Sequence, residues 1–302
     1  MTMQKVLVAE IGYETTVVNA FGDLNTENPR LLGQGISPTT VLDGDIGIGV
    51  KLAVTDLEQN IGPVGSLGEI PFYAISSLPT QSAFQEFNGF ILNGEILSTP
   101  EAIMQAAQLI YEEVEDVIIL DVGGASTNVY SVTSELLTQR TVEEDLGVTI
   151  NASTLVKHIG ENKIKEHHGQ EWEKILNSRP ETPEEIALSA ELTAAAVSIA
   201  LQRHSERFRN YNGTKGKVSN VEGQDLMQIR WIVGTGVVLT QLPNGLDVMR
   251  ESIKGVDDTL FPQEHIATFL DKDCIMASLG VLAPTFRKGA WQLLRESFGV
   301  EN

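Results

Sequence analysis

The chain has 302 residues, of which 42% are hydrophobic and 21% charged, and its formal net charge at pH 7 is −20. This composition is typical of a soluble globular protein, and the length allows one large core or two smaller units. The negative charge would repel DNA and RNA phosphates, so we expect no nucleic-acid partner. No apolar run approaches the ~18 residues of a membrane span. The N-terminus lacks a signal-peptide pattern, and the single cysteine excludes an internal disulfide. We therefore expect a cytoplasmic protein without a membrane partner.

The first element is a strand that ends in an acid and a glycine turn. The segment VAEIGYETTVVNAF places Glu10 and Gly12 after apolar residues, and two hydroxyl residues, Thr15 and Thr16, follow. Alternating apolar residues on both sides of the glycine predict two strands joined by a turn.

Weaker signals follow the first turn. Asp43-Gly44-Asp45 has the start of a calcium loop but lacks its later ligands, so we expect a turn there. Residues 60–99 have little periodicity and are predicted to be loops with short strands. The next helix is better defined, with Thr99 predicted as its N-cap and Pro100 as its first helical residue.

A second turn repeats the pattern of the first. The segment ILDVGGASTNVYSV, residues 119–132, aligns with residues 8–21, and the shared order of acid, glycine and hydroxyl pair indicates an internal duplication. The equivalent pairs are Glu10 and Asp121, Ile11 and Val122, Gly12 and Gly123, Thr15 and Ser126, Thr16 and Thr127, and Val18 and Val129.

A third glycine turn lies in IRWIVGTGVVLTQLPNG, where an apolar strand leads into Gly234-Thr235-Gly236 and a helix-compatible stretch. It is not a dinucleotide fingerprint, because Leu239 stands where the third glycine is required. Further helices are predicted at 166–176, 181–208 and 283–298. In the second of these, Thr182 and Glu185 form a predicted capping box. The five histidines have no metal-binding spacing, and His167-His168 is expected on a polar helix or loop.

These glycine turns suggest phosphate chemistry. Backbone N–H groups that converge in such a turn can hold a phosphate, and hydroxyl side chains add donors. An acid at the strand end would repel phosphate directly, so it would act through Mg²⁺ or a bound water. Two facing turns could clamp the phosphates of a nucleotide, and the third could take the adenosine.

The order of these three turns along the chain resembles that of the actin, sugar kinase and Hsp70 superfamily of ATPases. Within it, several stretches resemble the GlmL family, also called MutL, whose members are accessory proteins of glutamate mutase with relatives beside lysine and ornithine aminomutases. The stretches are VLVAEIGYETTVVNAF, LLGQGISPTTVLDGDIGIGV, ILDVGGASTNVYSVT, RTVEEDLGVTINA, WIVGTGVVLTQLPNG and DKDCIMASLGVL.

The resemblance implies a fold, a function and a site. The fold is a two-lobe α/β, ribonuclease H-like fold, with lobe I at 1–117, lobe II at 118–275 and a C-terminal helix, 276–302, that packs back on lobe I. The function is that of a reactivating chaperone for an adenosylcobalamin-dependent mutase, with ATP and Mg²⁺ as cofactors and the cobalamin held by the client enzyme. A small MutS-like ATPase subunit is a further expected partner. By position, the nucleotide-binding residues are Gly12, Thr15, Thr16, Gly123, Gly124, Ser126, Thr127, Gly234, Thr235 and Gly236, while Asp121 and Glu10 are the catalytic candidates and Asp121 the indirect Mg²⁺ ligand.

The chain departs from the family pattern in three places. Tyr13 and Glu14 replace small or hydroxyl residues in the first turn, and Val237 replaces the fourth residue of a G-T-G-G turn. A block between about residues 59 and 97 is replaced by a short linker, which predicts a reduced first lobe. These departures leave open a binding subunit of the same fold that does not hydrolyse nucleotide. A small-molecule kinase, with Asp121 as the base, is a third alternative.

Overall fold

The computed structural model divides the chain into two compact units. The first comprises Met1–Leu109 and Ile275–Asn302, and the second comprises Ile110–Cys274. The structure describes residues 4–40, 45–78, 96–133, 138–177, 179–214, 226, 229–254, 256 and 266–300, with the side chains of 206–214 left out. The chain thus starts in the first unit, forms the second and returns to the first.

The first unit is built on a five-stranded sheet. Its strands are β1 (Lys5–Ile11), β2 (Thr15–Gly22), β3 (Arg30–Pro38), β4 (Phe72–Ser76) and β5 (Leu97–Ser98), in the order β3-β2-β1-β4-β5. The first three strands pair antiparallel, whereas β4 pairs parallel with β1 and β5. Its helices are α1 (Ile46–Ile61), most of α2 (Thr99–Val114) and α8 (Met276–Phe298).

The second unit contains a second sheet of five strands. Its strands are β6 (Val117–Val122), β7 (Thr127–Val132), β8 (Thr138–Glu143), β9 (Trp231–Thr235) and β10 (Ala267–Leu270), in the order β10-β9-β6-β7-β8. The described helices are α3 (Ala152–Ile159), α4 (Glu161–His168), α5 (Pro183–Thr214), α6 (Val237–Gln241) and α7 (Gly245–Lys254), with 3₁₀ turns at Glu144–Leu146 and Trp172–Ile175.

The two sheets have the same strand order, which confirms the predicted two-lobe α/β fold. In each, the first strand pairs antiparallel with the second and parallel with the fourth. The two units differ between their third and fourth strands. In this segment the described residues of the first unit contain one helix, α1, whereas those of the second unit contain α3, α4 and α5. The short strands predicted within residues 60–99 are present as β4 and β5. Residues 79–95 of that segment lie outside the described part.

The cores follow from the strand sequences. The run Val117–Leu120 in β6 is wholly buried, because β6 lies between β7 and β9 at the centre of its sheet. Such continuous apolar runs are typical of strands covered on both faces. In the second unit the core joins Ile118 and Leu120 to α5 residues such as Leu192 and Ala196. Among the described helices, none is long and apolar enough to cross a membrane.

Capping boxes begin two of the predicted helices, α2 and α5. At α2 the N-cap is Ser98 rather than Thr99, since Ser98 Oγ accepts from the Glu101 N–H at 3.3 Å and Glu101 Oε2 accepts from the Ser98 N–H at 3.0 Å. This reciprocal pair is a capping box, and it begins one residue before the N-cap predicted at Thr99. At α5 the predicted box is confirmed: the Glu185 N–H donates to Thr182 Oγ1 at 3.3 Å, and the Thr182 N–H to Glu185 Oε2 at 3.0 Å.

The prediction of one helix over 166–176 is wrong. Helix α4 ends at His168, because Gly169 has φ of +88°, and a 3₁₀ turn follows at Trp172–Ile175. The helix predicted at 283–298 is confirmed as part of α8. Asp43 and Gly44 of the turn predicted at 43–45 lie outside the described residues, while Asp45 Oδ1 accepts from the Gly47 N–H at 2.7 Å and so caps α1.

Candidate phosphate-binding turn in the second unit

The turn Gly123–Ser126 joins β6 to β7 and presents three backbone N–H groups in succession. The Gly123 N–H donates to the Ser126 carbonyl at 3.0 Å, which closes the turn. Within the described part of the chain, no hydrogen bond uses the N–H groups of Gly124, Ala125 or Ser126. All four residues of the turn are half-buried. Three adjacent unused donors can hold an anion.

A loop that follows β8 sets the direction of these donors. The Gly123 carbonyl accepts from the Val148 N–H at 3.2 Å, and the Gly124 carbonyl accepts from the Ile150 N–H at 2.9 Å. The next carbonyl, that of Ala125, accepts from Asn151 Nδ2 at 3.3 Å. The peptide bonds here are trans, so each N–H points opposite to the preceding carbonyl. The three unused N–H groups therefore all point away from this loop.

Gly147 makes this packing possible. A Cβ on Gly147 would lie 2.4 Å from the Ala125 carbonyl oxygen and 2.5 Å from that of Gly124. Thr127, which was predicted to bind nucleotide, is fully buried, and its Oγ1 donates to the Leu146 carbonyl at 2.8 Å. Its hydroxyl thus holds the same loop. This loop belongs to the stretch RTVEEDLGVTINA, whose residues had no predicted role in the site.

Asp121 lies at the end of β6, directly before the turn. Its Oδ2 accepts from Asn128 Nδ2 at 3.2 Å, across the β6–β7 pair. Burial raises the pKa of Asp121 to about 6, and the Asn128 hydrogen bond and the charge of Arg140 oppose that rise. The carboxyl is therefore mostly ionised at pH 7, as a role through Mg²⁺ requires.

The side of the sheet that carries Asp121 has further polar groups. Asn128 Nδ2 also lies 3.4 Å from Ser126 Oγ, which links the acid to the hydroxyl of the turn. In the described part of the chain, Asn128 Oδ1 and the Tyr130 hydroxyl are buried without a hydrogen-bond partner. The Arg140 guanidinium lies 6.0 Å from the centre of the Tyr130 ring. Asn128 and Tyr130 carried no signal in the sequence beyond their strand position.

The third glycine turn approaches the end of β6, directly before the second turn. Gly236 has φ of +93°, and a Cβ there would lie 2.4 Å from the Val122 carbonyl oxygen and 2.7 Å from Asp121 Oδ1. This contact follows from the parallel pairing of β6 with β9, which sets Asp121 beside Thr235. The structure thus brings together three predicted groups of residues: Asp121, the turn Gly123–Ser126 and Gly236.

The other residues of the third turn point to packing. Thr235 is buried, and its Oγ1 donates to Asp271 Oδ2 at 2.9 Å. A Cβ on Gly234 would lie 2.6 Å from Leu239 Cδ2, so Gly234 leaves room for that side chain. Val237 is the first residue of α6.

The first turn, in the first unit, has the same backbone closure. The Gly12 N–H donates to the Thr15 carbonyl at 2.9 Å, as Gly123 does to Ser126. At the positions of Gly124 and Ala125 it carries Tyr13 and Glu14, which are both exposed. Thr16 is buried, and its Oγ1 lies 3.0 Å from Thr39 Oγ1.

Glu10 is held by hydrogen bonds inside the first unit. Its Oε1 accepts from the Ser278 N–H at 3.1 Å, from Ser278 Oγ, and from Asn19 Nδ2 at 3.0 Å. Ser278 lies in the first turn of α8, where an acceptor satisfies free N–H groups. The catalytic role of Glu10 stays a prediction, while its contacts are those of a cap.

The fold and the turns define an α/β protein of two units whose sheets have the same strand order, and comparison with known proteins identifies the family. The model of the MutL family, described as MutL protein, matches residues 80–298. The chain therefore belongs to the MutL family.

A curated relative, Protein MutL from Clostridium tetanomorphum, is 26% identical over 236 residues, which are 68% of this chain and 51% of that protein. The chain thus spans about half the length of the curated relative that it matches.

Solved structures with a similar course of the chain have low sequence identity. A ROK family glucokinase from Streptomyces griseus, in complex with glucose and AMPPNP, is 12% identical with a TM-score of 0.49, over 91% of this chain and 97% of that chain. Component A of the (R)-2-hydroxyglutaryl-CoA dehydratase from Acidaminococcus fermentans is 14% identical with a TM-score of 0.46, over 95% of this chain and 99% of that chain.

Proposed function

We propose that this chain is an accessory protein of an adenosylcobalamin-dependent mutase and that it binds the phosphates of a nucleotide on the turn Gly123–Ser126. The observation that carries the proposal is the set of three unused N–H groups that point to the same side of the turn. Membership of the MutL family supports the accessory role.

In this proposal the residues of the second unit have separate roles. The N–H groups of Gly124, Ala125 and Ser126 bind phosphate oxygens, and Ser126 Oγ adds a further donor. Asp121 would hold Mg²⁺ indirectly, and the ion would supply charge that neutralises the phosphate. Gly236 lets the third turn approach Asp121, because a side chain there would overlap Val122 and Asp121.

Nucleotide binding is tested by placing a charge in the turn. In Ala125→Glu, a carboxylate stands at the position that Glu14 has in the first turn, and we expect the thermal stabilisation by MgATP to disappear through charge repulsion. Ala125→Gln is the matched control, since it adds the same bulk without the charge, and it should keep most of the stabilisation. An equal loss in both variants, or no MgATP shift in the unmodified chain, would contradict the binding site.

One observation favours an alternative function, in which the chain binds nucleotide without hydrolysing it. The first turn carries exposed Tyr13 and Glu14, so a second phosphate clamp would meet a phenol and a carboxylate. A measurement of phosphate release from ATP distinguishes a chain that hydrolyses the nucleotide from one that only binds it. If the chain hydrolyses ATP, Asp121→Asn should lower the rate at least tenfold while the fold is kept; release that is unchanged in this variant would remove Asp121 from the mechanism.

The accessory role needs an assay with the client enzyme. A glutamate mutase that holds damaged cobalamin would be mixed with the chain, ATP and fresh adenosylcobalamin, and we expect mutase activity to return only when the chain is present. The same assay with lysine and ornithine aminomutases identifies the client. An assay in which a small MutS-like subunit must also be added would show that partner, and failure with all three enzymes contradicts the accessory role.

A further inference from the structure

Two histidines and a glutamate meet in the second unit, between α4 and α5. His167 Nδ1 lies 3.0 Å and His168 Nε2 lies 2.9 Å from the same oxygen, Glu191 Oε2. The three potential ligand atoms all lie within 4.8 Å of one another. Two imidazole nitrogens and one carboxylate oxygen are a common donor set for zinc and related ions.

The local structure explains why the sequence pattern did not show this cluster. The two histidines are adjacent at the end of α4, where Gly169 stops the helix, and their ring planes are inclined by 74° with centres 6.0 Å apart. The third member, Glu191, lies on α5 and is distant in the sequence. Helical metal motifs are recognised by ligands four residues apart, and this cluster has no such spacing.

We propose that His167, His168 and Glu191 form a binding site for a divalent transition-metal ion of the zinc class. Ligand atoms around a tetrahedral ion with bonds of ~2.0 Å are about 3.3 Å apart. The present N···O distances of 3.0 and 2.9 Å are a few tenths of an ångström shorter, and the two imidazole nitrogens lie within 4.8 Å of each other, so side-chain movements of about an ångström or less bring the set to this spacing. Binding replaces the hydrogen bonds to Glu191 by metal bonds. The proton on each facing nitrogen moves to the other ring nitrogen or leaves to solvent.

Burial and access suit an exchangeable ion. The side chains of His168 and Glu191 are 8% and 21% exposed, so packing holds them in place, whereas His167 is 45% exposed and opens the cluster to solvent. Glu191 also lines a groove of about 590 Å³ between α5 and α7, together with Lys163. Three protein ligands leave a further coordination position for water or a ligand group.

Lys163 is the natural competitor of a bound cation. Its Nζ lies 3.4 Å from Glu191 Oε1, the carboxylate oxygen that does not face the histidines. A metal ion on Oε2 and the ammonium beside Oε1 would repel each other. Removal of this positive charge should therefore strengthen metal binding, whereas removal of a ligand should weaken it.

The experiment is a calorimetric titration of the metal-stripped full chain with Zn²⁺ near neutral pH. We expect saturable binding of one ion, with an affinity that falls at least tenfold in His167→Gln, His168→Gln and Glu191→Gln. His158→Gln is the matched control, because His158 lies on α3 outside the cluster, and its affinity should equal that of the unmodified chain. Lys163→Met should bind Zn²⁺ severalfold more tightly, a gain that misfolding cannot produce.

Three outcomes would overturn the site. Absence of saturable Zn²⁺ binding would leave the cluster as hydrogen bonds that join α4 to α5. Ligand variants within about twofold of the unmodified chain would place the ion elsewhere on the surface. An unchanged or weaker affinity in Lys163→Met would contradict the assigned geometry.

Discussion

At the residue scale, the two related turns share their backbone closure and differ in the side chains at the tip. In the second turn the carbonyls of Gly123, Gly124 and Ala125 are all used by the loop behind it, which leaves the opposite N–H groups for a ligand. The first turn closes in the same way but carries Tyr13 and Glu14 at its tip. A shared backbone shape is therefore compatible with different ligand preferences, because the tip side chains decide which charge is accepted.

The first residue-scale prediction concerns the pH dependence of stability. Burial raises the pKa of Asp121 from 3.8 to about 6, so at intermediate pH the folded protein keeps a proton that the unfolded chain has lost. The contribution of Asp121 to stability is then present below pH ~4 and is lost as the pH rises towards ~6. We expect Asp121→Asn to raise the free energy of unfolding above pH 6 by about 3 kcal/mol, with little change near pH 4.

Urea denaturation of both proteins at several pH values measures this effect. Parallel pH profiles for the unmodified chain and the variant would show that Asp121 ionises as in an exposed peptide.

The second residue-scale prediction concerns Gly236. An alanine there would adopt a φ of +93° and place its Cβ 2.4 Å from the Val122 carbonyl oxygen. Both strain and overlap oppose the folded state, so we expect Gly236→Ala to lower the free energy of unfolding by about 2–4 kcal/mol. Gly68→Ala is the control, since its Cβ would have only Ser66 Oγ within 4 Å, at 4.0 Å. Equal midpoints of denaturation for the two variants would contradict the close approach.

Parts of the site formed by neighbouring residues could be predicted from the sequence, whereas contacts between distant segments could not. The turn Gly123–Ser126 was found from the sequence because acid, glycines and hydroxyls are neighbours along the chain. Gly147 and Asn151 were missed, because their contacts with the turn join segments more than twenty residues apart. The contact of Gly236 with Asp121 depends on the β6–β9 pairing, which no local pattern specifies.

At the scale of elements, the start of α8 shows the same limit. Local signals placed the helix at 283–298, whereas it begins at Met276 after Ile275, which has no side-chain cap. The acceptor is supplied by Glu10, which is 268 residues away from Ser278. A helix that is capped from another part of the chain has no N-terminal signature of its own. By contrast, the start of α5 was predicted because Thr182 and Glu185 are only three residues apart.

The element-scale prediction follows from this cap. Glu10→Gln removes the negative charge at the N-terminus of α8 while it keeps an acceptor oxygen, so we expect a loss of about 1 kcal/mol in the free energy of unfolding. Ser278→Ala, which removes the hydroxyl bonded to Glu10 and Asn19, should cost about 1–3 kcal/mol.

The affinity for MgATP distinguishes a capping role of Glu10 from a catalytic role. If Glu10 only caps α8, Glu10→Gln should keep the affinity and any hydrolysis rate of the unmodified chain. A fall of at least tenfold in either value at unchanged stability would place Glu10 in the nucleotide site.

At the scale of the whole molecule, the equal strand order of the two sheets agrees with the internal repeat seen in the sequence. The repeat was visible only at the two turns, while the remaining strands of the two units have no evident sequence similarity. The fold class could nevertheless be predicted, because six stretches of the sequence resemble the family and the family implies the fold. Between the third and fourth strands, the described residues of the first unit contain one helix and those of the second unit contain three, while the reduction predicted at about 59–97 stays a prediction.

The whole-molecule prediction uses the return of the chain to the first unit. Helix α8 contacts β1 and β4, and a Cβ on Gly280 would lie 1.9 Å from the Ala102 carbonyl oxygen. A chain that stops after Cys274 loses these contacts, so we expect amide hydrogens of β1 and β4 to exchange at least tenfold faster, while those of β6 and β9 keep their protection. Hydrogen exchange followed by mass spectrometry measures both sheets in one sample, and equal protection of β1 in both proteins would contradict the role of α8.

The order of the units along the chain also has a consequence for biosynthesis. The second unit is one continuous stretch, whereas the first is assembled from residues at both ends. On the ribosome, all residues of the second unit are available before α8 has been made, because synthesis proceeds from the N-terminus. The strands of the first sheet, which all lie between Lys5 and Ser98, are therefore made before the second unit, whereas α8, which packs on two of them, is made after it.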